Sequence, residues 1–136
     1  MNVVLDEGAI LPTRAHDTDA GFDLYSRENK IIPAHGSAIF DTGVHIQIPG
    51  SLAAVIISKS GLNVKESLTS TGLIDEGYTG ALIVKLYNHS DVPTLIERGH
   101  KISQFILVPV CTPALNVVDS LDTTERGDNG FGSSGK

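Results

Sequence analysis

One cysteine in 136 residues excludes an internal disulfide and fits a reducing compartment. That residue, Cys111, closes an apolar run and reads as part of the core. Long apolar runs are absent too, and none approaches the roughly 18–20 residues that span a bilayer. The N-terminus, Met1-Asn-Val-Val-Leu-Asp-Glu7, lacks the basic start and apolar stretch of a secretory signal. Basic residues are scarce: 10 Lys and Arg against 16 Asp and Glu leave a net charge of -6. That balance argues against general nucleic-acid binding, which needs a basic surface to displace counterions. The five histidines (16, 35, 45, 89 and 100) show no metal-ligand spacing, and no second cysteine supports zinc. A metal here would be a hard cation held through carboxylates and ligand oxygens.

What is present reads as strands in one domain. Short β-branched runs recur at Phe22–Tyr25, Lys30–Ile32, Ala38–Phe40, Val44–Ile48, Leu52–Ser58, Ala81–Asn88, Thr94–Ile96, Ile102–Val110 and Ala114–Val118. In Val44-His-Ile46-Gln-Ile48 the apolar residues alternate and share one face of a sheet. Gly or Pro separates most of the runs. Only Gly61–Leu68 allows a turn or two of helix. Short strands at this spacing predict an all-β sandwich or barrel of jelly-roll type, with a flexible C-terminal arm. The strand domain covers residues 1–122 and the arm 123–136.

Four internal clusters carry more polarity than a plain sandwich needs. In Asp17-Thr-Asp-Ala20-Gly21-Phe22-Asp23-Leu24, alternation places Asp23 on the solvent side of its strand. Ser58-Lys59-Ser60-Gly61-Leu62 ends an apolar strand with hydroxyls, an ammonium and backbone N–H groups, the chemistry of a phosphate cradle or of an ordinary strand exit. Gly72-Leu-Ile-Asp75-Glu-Gly-Tyr78-Thr-Gly80 makes a glycine-punctuated bend that brings Asp75 near Tyr78. A tyrosine face suits a sugar ring and a carboxylate can take a proton from water, although Asp75 could equally cap its own turn. In Arg98-Gly-His100-Lys-Ile-Ser103-Gln104-Phe105, an amide interrupts an apolar strand and needs a partner, either neighbouring backbone or a ligand. The tail, Arg126-Gly-Asp-Asn-Gly-Phe131-Gly-Ser133-Ser134-Gly-Lys136, holds a ring, a guanidinium and hydroxyls among four glycines. Those glycines argue against a packed element. The side chains suit a base and a phosphate.

In this order along one chain, the five segments resemble the homotrimeric deoxyuridine triphosphatases (dUTPases). The resemblance runs from Ala20 to the C-terminus and implies a jelly roll that converts dUTP to dUMP and pyrophosphate. Such an enzyme limits uracil in DNA and supplies dUMP for thymidylate synthesis. It implies active sites at the subunit interfaces of a homotrimer, with no nucleic-acid or membrane partner, in the cytoplasm or in the host cytoplasm if phage-encoded. Asp75 corresponds to the carboxylate that deprotonates the attacking water. Tyr78 corresponds to the ring that packs on deoxyribose and excludes a 2′-hydroxyl. Asp23 corresponds to the carboxylate that reaches Mg²⁺ through water. Lys59, Ser60, Gly61 and Gln104 fall at phosphate-contacting positions, and backbone near Thr69 to Gly72 reads the uracil edge. In the tail, Phe131 stacks on uracil, Gly132 lines the substrate, and Arg126, Ser133 and Ser134 reach the γ-phosphate. The dCTP deaminases share the fold, but the Gly-Phe-Gly-Ser tail belongs to the dUTPase side. Three positions depart from the family pattern: Lys59 replaces an Arg, His100 an Asp and Ser103 an Ala. The last reads as a surface change.

Overall fold

The computed structural model describes residues 1–130. In chain order the first half holds β1 (Asn2–Leu5), β2 (Phe22–Tyr25), β3 (Lys30–Ile32), β4 (Ser37–Asp41), β5 (Val44–Gln47) and β6 (Leu52–Ile57). After a short helix, α1 (Ser60–Glu66), come β7 (Leu68–Thr69), β8 (Thr71–Ile74), β9 (Ile83–Asn88), β10 (Thr94–Ile96) and β11 (Lys101–Pro109). Alternation decides which face each strand buries. In β9, Val84, Leu86 and Asn88 point inward while Ile83, Lys85 and Tyr87 point out, as expected for a sheet with one covered face. This strand sits between β4 and β7, and a second antiparallel sheet runs β2-β11-β6-β8. The ribbons β1-β5 and β3-β10 complete the barrel.

Between these layers Leu24, Ile32, Phe40, Ile56, Leu82, Leu86, Ile102 and Phe105 are buried in one aliphatic-rich core. Burial of this kind contributes roughly 25 cal/mol per Å² of apolar surface, which offsets much of the chain entropy lost on folding. Neighbours in the sheets are mostly distant in sequence. The architecture is an all-β jelly roll.

Two expectations fail at the C-terminal end. Residues 114–118 form no strand, and Leu115 and Val117 are almost fully exposed. A run of strand-forming residues becomes a strand only against a free ladder edge, and β11 has already left the sheet at Pro109. For the same reason Cys111 is exposed and lies outside the core.

Two more fail inside the sheet. The β2–β11 register slips between Lys101 and Ser103, a bulge that turns Ile102 and Ser103 inward together. Ser103 is therefore fully buried, against the surface reading. Its hydroxyl donates to the Ile57 carbonyl at 2.8 Å and shares a 2.8 Å hydrogen bond with Ser70. Asp23 is only 5% exposed. The face that alternation assigns to solvent is covered here, because Asp23 N–H bonds the Thr13 carbonyl and cationic side chains close over the carboxylate.

Candidate active site

Asp23 is the one charged residue that is buried among the described residues. One oxygen meets the Lys59 ammonium and the other meets Lys101 Nζ at 2.7 Å. A carboxylate this buried persists as a charge only when paired, and the two lysines leave the cluster with one net positive charge. The hydrogen bond and charge of Asp23, with a smaller contribution from Tyr25, hold the Lys101 ammonium above its ordinary pKa. Sequence reasoning gave Lys101 no role. Its signal was the register, since residue 101 pairs with Tyr25 beside Asp23 and only the β2–β11 ladder makes that visible.

The phosphate-cradle segment leaves β6 beside this cluster. Lys59 is the N-cap of α1 in an extended conformation and makes no side-chain capping bond. A Cβ on Gly61 would meet nothing within 4 Å, so no contact inside the chain calls for glycine there. Gln104 pairs in register with Asp23, and its amide donates to the Ser58 carbonyl at 3.2 Å. Backbone is thus the partner that this interrupting amide finds. Gly21 lies opposite it, and an added Cβ there would lie 2.5 Å from Gln104 Oε1, so the amide would have to shift.

A set of serine hydrogen bonds ties this end of the sheet to the start of β8. Ser58 Oγ accepts from Ser70 N–H at 2.8 Å and donates to the Ser70 carbonyl at 3.1 Å. Thr69 and Gly72 flank Ser70. Thr69 Oγ1 meets His89 Nε2 at 2.7 Å, and Gly72 pairs with Ile56.

Asp75 and Tyr78 come together in a separate turn. Tyr78 N–H donates to the Asp75 carbonyl at 3.1 Å, which closes the bend and leaves both side chains exposed. The Tyr78 hydroxyl reaches back to the Ala81 carbonyl at 3.1 Å, so the ring folds across Gly80. A Cβ at Gly80 would lie 2.3 Å from the tyrosine oxygen. Gly80→Ala is therefore expected to fold normally, since the ring end can swing away, while the ring loses its place. If the turn carries the chemistry that the resemblance implies, kcat/KM for dUTP should fall about tenfold. An unchanged kcat/KM would show that the ring position has no catalytic consequence.

Within one chain this turn stands apart from the phosphate-cradle segment. Ladder pairs from Ile57↔Thr71 to Ala54↔Ile74 lie between them, about 10 Å of strand. Ser58–Gly61 leaves one end of β6, and Asp75 follows β8 at the other. Arg126 is exposed, its Nε bonded to the Asn129 carbonyl at 3.0 Å. The expected contacts of Phe131, Gly132, Ser133 and Ser134 lie outside the described residues.

A family model described as dUTPase matches residues 7–135, which includes every one of these segments. The chain belongs to the dUTPase family. A deoxyuridine 5′-triphosphate nucleotidohydrolase of Clostridium acetobutylicum is 41% identical over 134 residues, covering 96% of this chain and 92% of that protein. Its counterpart in Yarrowia lipolytica is 43% identical over 134 residues, covering 96% and 85%. Among solved structures, the dUTPase of Staphylococcus bacteriophage 80alpha with dUpNHpp superposes with a TM-score of 0.93 at 32% identity, over 99% of this chain and 98% of that one. In this dUTPase-family chain, one chain thus holds two separated polar clusters, one cationic and one carrying the Asp75 carboxylate and the Tyr78 ring.

Proposed function

We infer that the protein hydrolyses dUTP to dUMP and pyrophosphate. The observation that carries this reading is the family match over residues 7–135, within which Asp75, Tyr78 and the Ser58–Gly61 turn all stand. Relatives matched over most of the chain are named deoxyuridine 5′-triphosphate nucleotidohydrolases.

In this reading Asp75 orients a water and takes its proton as the water attacks the α-phosphorus. Tyr78 packs against deoxyribose and leaves no space for a 2′-hydroxyl. Ser60, Gly61 and Gln104 contact phosphate oxygens, and Lys59 adds a point charge where a guanidinium would bind in bidentate fashion. The absence of any neighbour at Gly61 supports this role, because a glycine with open space beside it admits a ligand close to the backbone. Thr69 and Gly72 present the backbone that reads uracil. The segment 123–136 serves as an arm of the same domain, with Arg126, Phe131, Gly132, Ser133 and Ser134 completing the site.

Mg²⁺ is proposed to arrive on the triphosphate. Among the described residues no three His, Cys, Asp or Glu side chains cluster to hold a metal directly. Asp23 has lone pairs beyond its two ammonium contacts and could accept a metal-bound water. When bound, the metal would neutralise charge on the phosphate oxygens.

Sites shared between the subunits of a homotrimer are the second part of the proposal. Two observations support it: the separation of Asp75 from the cationic cluster in one chain, and the exposure of Leu115, Val117, Val118 and Leu121. Such a run needs a neighbour to cover it. No described helix is long and apolar enough to cross a membrane.

The test is direct. Protein incubated with dUTP and Mg²⁺ should release dUMP and pyrophosphate, and dCTP and dTTP should be poor substrates. Absence of hydrolysis in folded protein would overturn the reading, and ammonia release from dCTP would replace it with deamination.

A further inference from the structure

The turn that carries Asp75 and Tyr78 is fastened to the barrel from outside. At its near side Glu76 accepts the Ser51 N–H at 2.9 Å. Past its far side Leu82 N–H donates to the Val44 carbonyl at 2.8 Å, and the Leu82 carbonyl accepts from Thr42 Oγ1 at 2.7 Å. Between these anchors the Thr79 carbonyl lies 2.8 Å from Nδ1 of His45, on β5. Among the described fastenings of this turn, His45 is the one whose donor can titrate.

Both of its ring nitrogens face acceptors. A carbonyl can only accept, so Nδ1 must carry a proton toward Thr79. Nε2 lies 3.2 Å from Oδ1 of Asp6, which follows β1. A neutral ring would aim a lone pair at that carboxylate, whereas the imidazolium satisfies both partners. The other charged groups here form a chain: Arg27, from the β2–β3 loop, lies 3.5 Å from Asp6 and 2.7 Å from Asp41 at the end of β4. Arg27 neutralises part of the acidic field, yet two carboxylates against one guanidinium leave the surroundings of the ring negative.

We propose that His45 is a positioning residue of the hydrolysis, its doubly protonated ring pinning the Thr79 carbonyl, and with it the Asp75–Gly80 turn, to β5 and to Asp6. His45 touches no reacting atom. It acts through the carbonyl next to Tyr78. The Thr79 carbonyl first, then the charge and hydrogen bond of Asp6 and the charge of Asp41, raise the histidine above its ordinary value. A raised folded value means that the fastening is complete below about pH 6.5 and that the contribution of the imidazolium is lost as pH climbs through the higher folded value. The neutral ring can keep its Nδ1 proton, so deprotonation loosens the anchor by surrendering Asp6 first.

The kinetic arm of the test rests on the dUTP-hydrolysis reading, and a spectroscopic arm does not. Full-length protein, His45→Leu and His45→Asn are assayed with dUTP and Mg²⁺ from about pH 5.5 to about pH 9, bracketing the histidine range. His45→Leu should lose about tenfold in kcat with little change in KM, as expected when the reacting turn is displaced. His45→Asn keeps a donor at the Nδ1 position and carries no charge. It should stay within about threefold of the parent and lack the alkaline fall in kcat expected of the parent. In parallel, ¹⁵N NMR should find the ring keeping both protons to higher pH than a free histidine does, with the Thr79 and Gly80 amide shifts following the ring titration. Unchanged kcat in His45→Leu would overturn the proposal, as would an alkaline fall that persists in His45→Asn. If no variant hydrolyses dUTP, the functional reading fails instead. The anchor then stands or falls on whether the Thr79 and Gly80 amides follow the ring.

Discussion

Asp75→Asn is expected to bind dUTP about as well as the parent and to turn it over about 10²–10⁴-fold more slowly. The substitution keeps the shape of the side chain and removes its capacity to take a proton. Folding should be untouched, because Asp75 is exposed and the bond that closes its turn uses the backbone carbonyl, which asparagine retains. A purely structural role would lower the melting temperature and the affinity together. A role as base lowers kcat alone. Calorimetry with a non-hydrolysable dUTP analogue, beside single-turnover hydrolysis, separates these results. Near-normal turnover by Asp75→Asn would remove the carboxylate from the mechanism.

Truncation after Glu125 is the second large effect. The described chain beyond Pro109 pairs with no strand, and the buried core has its last member at Phe105. Arg126 and Gly127 bond within this end of the chain, Arg126 Nε to the Asn129 carbonyl at 3.0 Å and Gly127 N–H to the Thr124 carbonyl at 3.2 Å. The shortened protein should therefore melt within a few degrees of the full chain, a surface-sized change. If Arg126, Phe131, Ser133 and Ser134 close over the nucleotide, kcat/KM for dUTP should nonetheless drop about 10²-fold or more. Full activity in the truncated protein would show that the arm takes no part in closing the site.

Much of this protein was legible in its sequence, for a physical reason that varies by element. β9 could be read from Ile83 to Asn88 because its alternation is a local property of the pleat. The turn at Asp75–Gly80 could be read because glycine spacing and the tyrosine are local as well. Other features failed because they depend on partners far along the chain. The bulge that buries Ser103 exists only in the β2–β11 pairing. Cys111 and the run at 114–118 have the composition of a core strand and no ladder to join.

By itself, then, the order of residues determined the class of fold and the kinds of chemistry the chain carries. Periodicity, turn residues and functional groups are all written within a few positions of one another. Only the tertiary structure decided that Asp23 is buried between Lys59 and Lys101, and that Asp75 stands a ladder's length from the cationic cluster. It also decided that His45 reaches the Thr79 carbonyl across 34 residues of sequence. Charge pairing and distance are set by which strands lie side by side, and that arrangement follows from burying the core as a whole.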